Sequence, residues 1–105
     1  MDVSFTKVTP KGSFPLGQVV ATPGALAALT ACGLSGLPYL QRHASTDWGE
    51  VDSMDKRLND DATENGGRLL SRYTLPNGEI IWIITEAADE QGNRVATTIL
   101  LPEEY

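Results

Sequence analysis

The chain has 105 residues, with 14 acids against 8 bases and a formal net charge of −6. That length suits one domain with one core, and the acidic balance argues against a general phosphate-backbone binder, which needs a basic face. With one cysteine, Cys32, and one histidine, His43, neither an internal disulfide nor a zinc site of His and Cys ligands alone is possible.

Residues 1–15 hold Pro10, Gly12 and Pro15 without a clear period. They read as a flexible N-terminal arm, with a short extended piece at residues 3–8. The single domain is expected over residues 16–105. Residues 16–21 (LGQVVA) make a short strand, placed at an edge of the sheet. Thr22-Pro23 then opens a helix, the threonine capping and the proline taking the first helical position. Ala25, Leu26, Ala28 and Leu29 form its apolar stripe, and Gly33 closes it. Cys32 at this end reads as a small buried hydrophobe.

Ser35 is placed to cap a second helix over residues 36–43, with Leu37 and Leu40 inward and His43 at the end, where a cation meets the helix dipole favourably. Asp47-Trp48-Gly49 reads as a turn. Asp52 or Ser53 caps a third helix running to about Asn65, with Met54, Leu58 and Ala62 as its inward stripe. Residues 47–64 carry seven acids against two bases, a local charge of −5. This is either a solvated helix face or an acidic docking face for a basic partner.

Residues 68–101 are the organising stretch, read as a three-stranded antiparallel meander. Asn77-Gly78 between two runs of Ile, Leu, Tyr and Trp is a strong hairpin signal. A two-residue turn would ask residue 76 to donate a backbone hydrogen bond, and proline has no N–H. The reading is therefore a type I turn, with Pro76 at its second position and Gly78 left-handed in a bulge. This register pairs Tyr73 with Ile81, Ser71 with Ile83 and Arg72 with Trp82. One face carries Leu69, Ser71, Tyr73, Leu75, Ile81 and Ile83; the other carries Leu70, Arg72, Thr74, Ile80, Trp82 and Ile84. The middle strand, apolar on both faces, is central. After a polar loop at residues 88–93 comes a third strand, residues 94–101, which Pro102 ends. Glu103 and Glu104 read as an acidic tail.

No metal or phosphate-loop signature appears, and no cofactor is expected. The constellation that could do chemistry is His43 with Arg68, Ser71 and Tyr73, joined by Thr85 or Thr98. Base, acid and cation are what a metal-independent RNase of the barnase or RelE type needs. The protein-binding alternative uses Arg72 and Trp82 as an anchoring pair, with Trp48 and the carboxylates of Asp60, Asp61 and Glu64 around it.

Four blocks, PLGQVVATPGALAAL, RHASTDWGEVDSMDKRLND, GGRLLSRYTLPNGEIIWIITEA and ATTILLPEEY, resemble a family of small plasmid- and phage-borne bacterial proteins. Some of these are labelled plasmid-related or type I restriction subunit. The resemblance implies a mobile-element setting and carries over no catalytic residue. The loop at residues 88–93 is longer here than in that pattern.

The expectation is an α+β domain, a three- to four-stranded antiparallel sheet with about three helices packed on one face. Its function is read as a small acidic, non-enzymatic protein-binding module of a mobile element, linked to host-defence interference. The alternatives are the RNase and a homodimeric accessory protein. The expected partner is a protein with a basic surface or a second copy, in the cytoplasm, with neither membrane nor nucleic acid.

Overall fold

The computed structural model describes residues 14–105. The elements run β1 (Gln18–Ala21), α1 (Pro23–Ala31), α2 (Leu37–Ala44), α3 (Ser53–Asn65), β2 (Leu69–Thr74), β3 (Ile80–Thr85) and β4 (Ala96–Leu100), followed by a 3₁₀ turn at Pro102–Glu104. This is an α+β fold with one four-stranded sheet, ordered β1-β4-β3-β2.

The hairpin forms in the expected register, Tyr73 opposite Ile81, Ser71 opposite Ile83 and Arg72 opposite Trp82. Its turn is the bulged one. The Gly78 N–H donates to the Leu75 carbonyl at 2.8 Å, the Leu75 N–H donates to the Glu79 carbonyl at 2.7 Å, and Gly78 has φ +91°. Only a residue without a Cβ holds that φ cheaply. The middle strand, β3, is central, and β4 pairs antiparallel to it.

One expectation needs correction. The sheet is mixed, because β1 pairs with β4 in parallel, Gln18 beside Ala96 and Ala21 beside Ile99. Three helices and a hairpin separate the two strands in sequence. A parallel pair needs a long connection to bring the chain back to the same end of the sheet, and this one is long enough.

The face carrying Leu69, Ser71, Tyr73, Leu75, Ile81 and Ile83 is the one the core covers. These six residues are at most 2% exposed. Helix α1 adds Ala25, Ala28 and Leu29 to this core, α2 adds Leu40, and α3 adds Ala62. Thr22 caps α1 by accepting from the Ala25 N–H, and Asp52 caps α3 by accepting from the Asp55 N–H. Gly33 follows α1 with a left-handed φ of +67°. Leu26 and Leu37 point outward instead of inward, and Cys32 is half-buried rather than enclosed.

The arm, including its extended piece at residues 3–8, lies outside the described residues up to residue 13. Phe14, grouped with the arm on sequence, is 5% exposed and packs into the core. No helix of the described residues is long and apolar enough to cross a membrane.

An edge strand with free backbone groups invites pairing with other chains, and β2 has its outer edge sealed. The Asn59 side chain takes both backbone groups of Leu70, donating to its carbonyl at 2.8 Å and accepting from its N–H at 3.2 Å. Two residues on, the Arg72 N–H donates to the Trp48 carbonyl, and the Arg72 carbonyl accepts from the Glu50 N–H. Gly49 makes this approach possible. A Cβ there would lie 2.1 Å from the Arg72 carbonyl oxygen. Asn59→Ala strips two edge groups at once and costs about 1–3 kcal/mol, the usual penalty for stranded backbone partners. Urea unfolding measures this as a lower midpoint with an unchanged slope.

Candidate functional site

His43 is the place to begin, because an imidazole is the side chain most ready for proton chemistry near neutral pH. It sits at the end of α2, as expected, but buried and not as a cation meeting the helix dipole. The last turn of α2 faces the sheet, and His43 is 0% exposed. Phe14 and Trp48 meet its ring edge-on, with centroids at 5.2 and 5.6 Å.

Both ring nitrogens are engaged. Nδ1 lies 2.6 Å from the Ser71 hydroxyl and Nε2 lies 2.9 Å from the Thr85 hydroxyl. Thr85 is 2.7 Å from Thr97, and the Thr97 hydroxyl donates to the Leu16 carbonyl at 2.7 Å. That carbonyl has no hydrogen to give, so it fixes the direction of the whole chain. Thr97 donates to Leu16, Thr85 donates to Thr97, the His43 Nε2–H donates to Thr85, and Ser71 donates to Nδ1. The ring is thus a neutral Nε2–H tautomer. Burial, with the Arg94 guanidinium as a second and smaller cause, pulls its pKa down to about 3.

Ser71 and Tyr73, the partners expected of a nuclease, are enclosed on the same face. Burial raises the Tyr73 phenol to about 12, and its hydroxyl donates to the Asp47 carbonyl at 2.6 Å. Arg68 is not with them. It is exposed, donates to the Tyr105 hydroxyl at 2.6 Å, and lies over that ring. The four residues therefore do not lie together, and His43 is closed off from solvent. Thr98, the other threonine considered, does not join the network; Thr85 does.

The binding residues read from the sequence also divide. Trp48 is 4% exposed, and its indole N–H donates to Asp60 at 2.9 Å. This pair ties α3 to the core; Trp48 is enclosed, whereas Asp60 stays exposed with one carboxylate oxygen engaged. Arg72 and Trp82 are cross-strand neighbours, but the guanidinium does not cover the indole. Arg72 lies 3.6 Å from Glu50, and Trp82 meets Tyr105 edge-on at 5.7 Å.

The acidic segment is partly structural. Asp47 pairs with Arg42 at 2.7 Å, which holds its carboxyl below the usual range. Glu50 accepts from Thr74, Asp52 caps α3, and Asp60 holds Trp48. The side chains of Asp55, Asp61 and Glu64 have no hydrogen bond or ion pair among the described residues. Glu104, expected in a loose tail, instead takes up the start of α1, accepting from the Thr22 hydroxyl and the Gly24 N–H. Those bonds, the Thr22 one foremost, keep its pKa low.

No family model matches this chain, nor does any curated protein or solved structure.

The feature that sequence reasoning missed is on α3. Met54 and Leu58 were expected inward, yet they are 71% and 58% exposed. The helix is held instead by Asn59, Asp60 and Ala62. An open groove of about 310 Å³ adjoins it, lined by Asp55, Leu58, Asn59, Arg68 and Leu70. The available signal was Asn59 itself. An amide between Leu58 and Ala62 belongs on a face that meets backbone.

Proposed function

We propose that this protein is a non-enzymatic protein-binding module that engages a partner with a basic surface. The observation that carries the reading is the contrast between its two sets of side chains. Its one histidine is spent in a closed hydrogen-bond chain inside the core, while α3 presents large apolar side chains and three unengaged carboxylates to solvent. Exposed apolar area rimmed by charge is the usual mark of an interaction surface. The cytoplasmic, mobile-element setting and the link to host-defence interference belong to the same proposal. They rest on the resemblance of the four sequence blocks to plasmid- and phage-borne proteins.

Affinity capture from a bacterial host lysate tests this reading. The wild type is expected to retain a protein that is released by salt, and Asp61→Lys with Glu64→Lys is expected to lose it. Both positions are exposed and have no side-chain partner among the described residues, so the double variant is expected to keep its fold. Capture of nothing by the wild type, or capture indifferent to the charge reversal, overturns the reading.

A further inference from the structure

The two edges of the sheet are treated differently. Asn59, Trp48 and Glu50 occupy the outer side of β2. At the opposite edge, nothing among the described residues pairs with the outer side of β1. The Gln18 and Thr22 N–H groups donate inward, to the Val95 and Ile99 carbonyls. Bonding groups alternate along a strand, so Val19 and Ala21 turn both N–H and C=O outward. Val19 and Val20 are 42% and 41% exposed. Natural edges are guarded by charge, proline or a bulge, and Gln18-Val19-Val20-Ala21 carries neither charge nor proline.

The surroundings are uncharged as well. Residues 12–41 hold none of the chain's 14 acids and 8 bases. Helix α1 is apolar nearly all round, a pattern that belongs to a covered helix, yet its Leu26, Ala27, Thr30 and Ala31 are exposed. The carboxylate that reaches this region, Glu104, is already held by the Thr22 hydroxyl and the Gly24 N–H.

We propose that β1 pairs with β1 of a second copy, antiparallel about a two-fold axis at Val20, so that two four-stranded sheets become one. Val19 of each copy then exchanges both backbone bonds with Ala21 of the other, which satisfies every outward group of these residues. The two Val20 side chains meet across the axis as the closest cross-strand pair. Pro23, which has no N–H to give, ends the ladder.

Charge and symmetry select the occupant. Each copy carries −6, and this charge-free stretch lets two such chains meet without setting acids face to face. An isologous pairing closes both edges at once. A lone peptide strand would seal the edge but leave α1 bare, whereas a second copy brings its own α1 to the same side of the joined sheet. Helix α3 lies at β2, the far edge, so the dimer goes beyond the binding-module reading and leaves the α3 surface open.

Sedimentation equilibrium of the full chain, from low micromolar to sub-millimolar concentration, is expected to show monomer converting to dimer. Val20→Lys sets like charges on the axis, and Val19→Pro removes an outward donor where an edge tolerates proline. Each is expected to weaken the dimer at least roughly tenfold, with an unchanged circular dichroism spectrum. Amide exchange of the wild type needs no variant. The Val19 and Ala21 amides are expected to be protected at high concentration and open at low. A monomer throughout, or a dimer that ignores both substitutions or leaves those amides open, overturns the inference. Protection at every concentration also overturns it, since the chain's own residues then cover the edge.

Discussion

Acidification from pH 7 to pH 5 lowers the unfolding free energy by about 2 kcal/mol through His43 alone. The unfolded imidazole takes its proton near the ordinary value of 6.5, and the folded one only at about 3. Between those limits the unfolded chain binds more protons, so stability falls as the pH falls. The contribution is fully present above 6.5 and lost on the way down to 3. Each pH unit in that window is worth about 1.4 kcal/mol, so the whole interval amounts to roughly 5 kcal/mol. Urea unfolding at the two pH values measures it, with His43→Gln as the control. Glutamine keeps one donor and one acceptor but has no proton to gain. The variant is expected to be less stable at pH 7, because the edge-on packing of Phe14 and Trp48 on the ring is lost. Between pH 7 and pH 5, however, it loses about 2 kcal/mol less than the wild type. A wild type equally stable at both pH values would mean that the ring is not held neutral.

Arg94→Met is expected to cost about 3 kcal/mol, because it strands the Gly67 and Glu86 carbonyls and leaves the Ala62 carbonyl with the Gly66 N–H alone. Arg94 is 6% exposed and faces no carboxylate among the described residues. Its guanidinium donates to the carbonyls of Gly67 at 2.7 Å, Glu86 at 3.0 Å and Ala62 at 2.9 Å. It thereby joins the end of α3, the entry to β2 and the exit from β3. Arg94→Lys keeps the charge and most of the stem but cannot reproduce a planar fork across separated acceptors. It is therefore expected to recover only part of the loss. Denaturant midpoints for both variants decide the matter. A lysine variant as stable as the wild type would show that charge and not the fork is what matters.

What the sequence told correctly, it told through local chemistry. Pro76 without an N–H and Gly78 without a Cβ select one turn, and that turn sets every pair in the hairpin. Thr22 and Asp52 announce their helices because a cap needs only the next few residues. The failures concern partners far along the chain. The sequence groups His43 with Ser71 and Thr85, 28 and 42 residues away, and the ring does meet them. It meets them as a buried neutral ring and not as a cation on a dipole, and Arg68 lies elsewhere. Trp48 looks like an anchor for another protein until Asp60 and the core are seen around it. The period of Met54, Leu58 and Ala62 gives the stripe but not its direction. Direction was decided by Asn59, whose amide found the free edge of β2. The parallel pairing of β1 was hidden for a related reason. A strand's own residues do not reveal which way its neighbour runs.

That pairing has a consequence for synthesis. The first strand of the described fold waits for the last one, and Thr22 likewise waits for Glu104, with 82 positions between them. While the polypeptide is emerging from the ribosome, β1 has nothing to lie against, and Val19 and Val20 are bare. Loop closure over such a span is entropically slow, so the sheet is completed only after translation has passed β4. Until then the newborn chain depends on the hairpin, whose two strands are close neighbours in sequence, to hold its early structure.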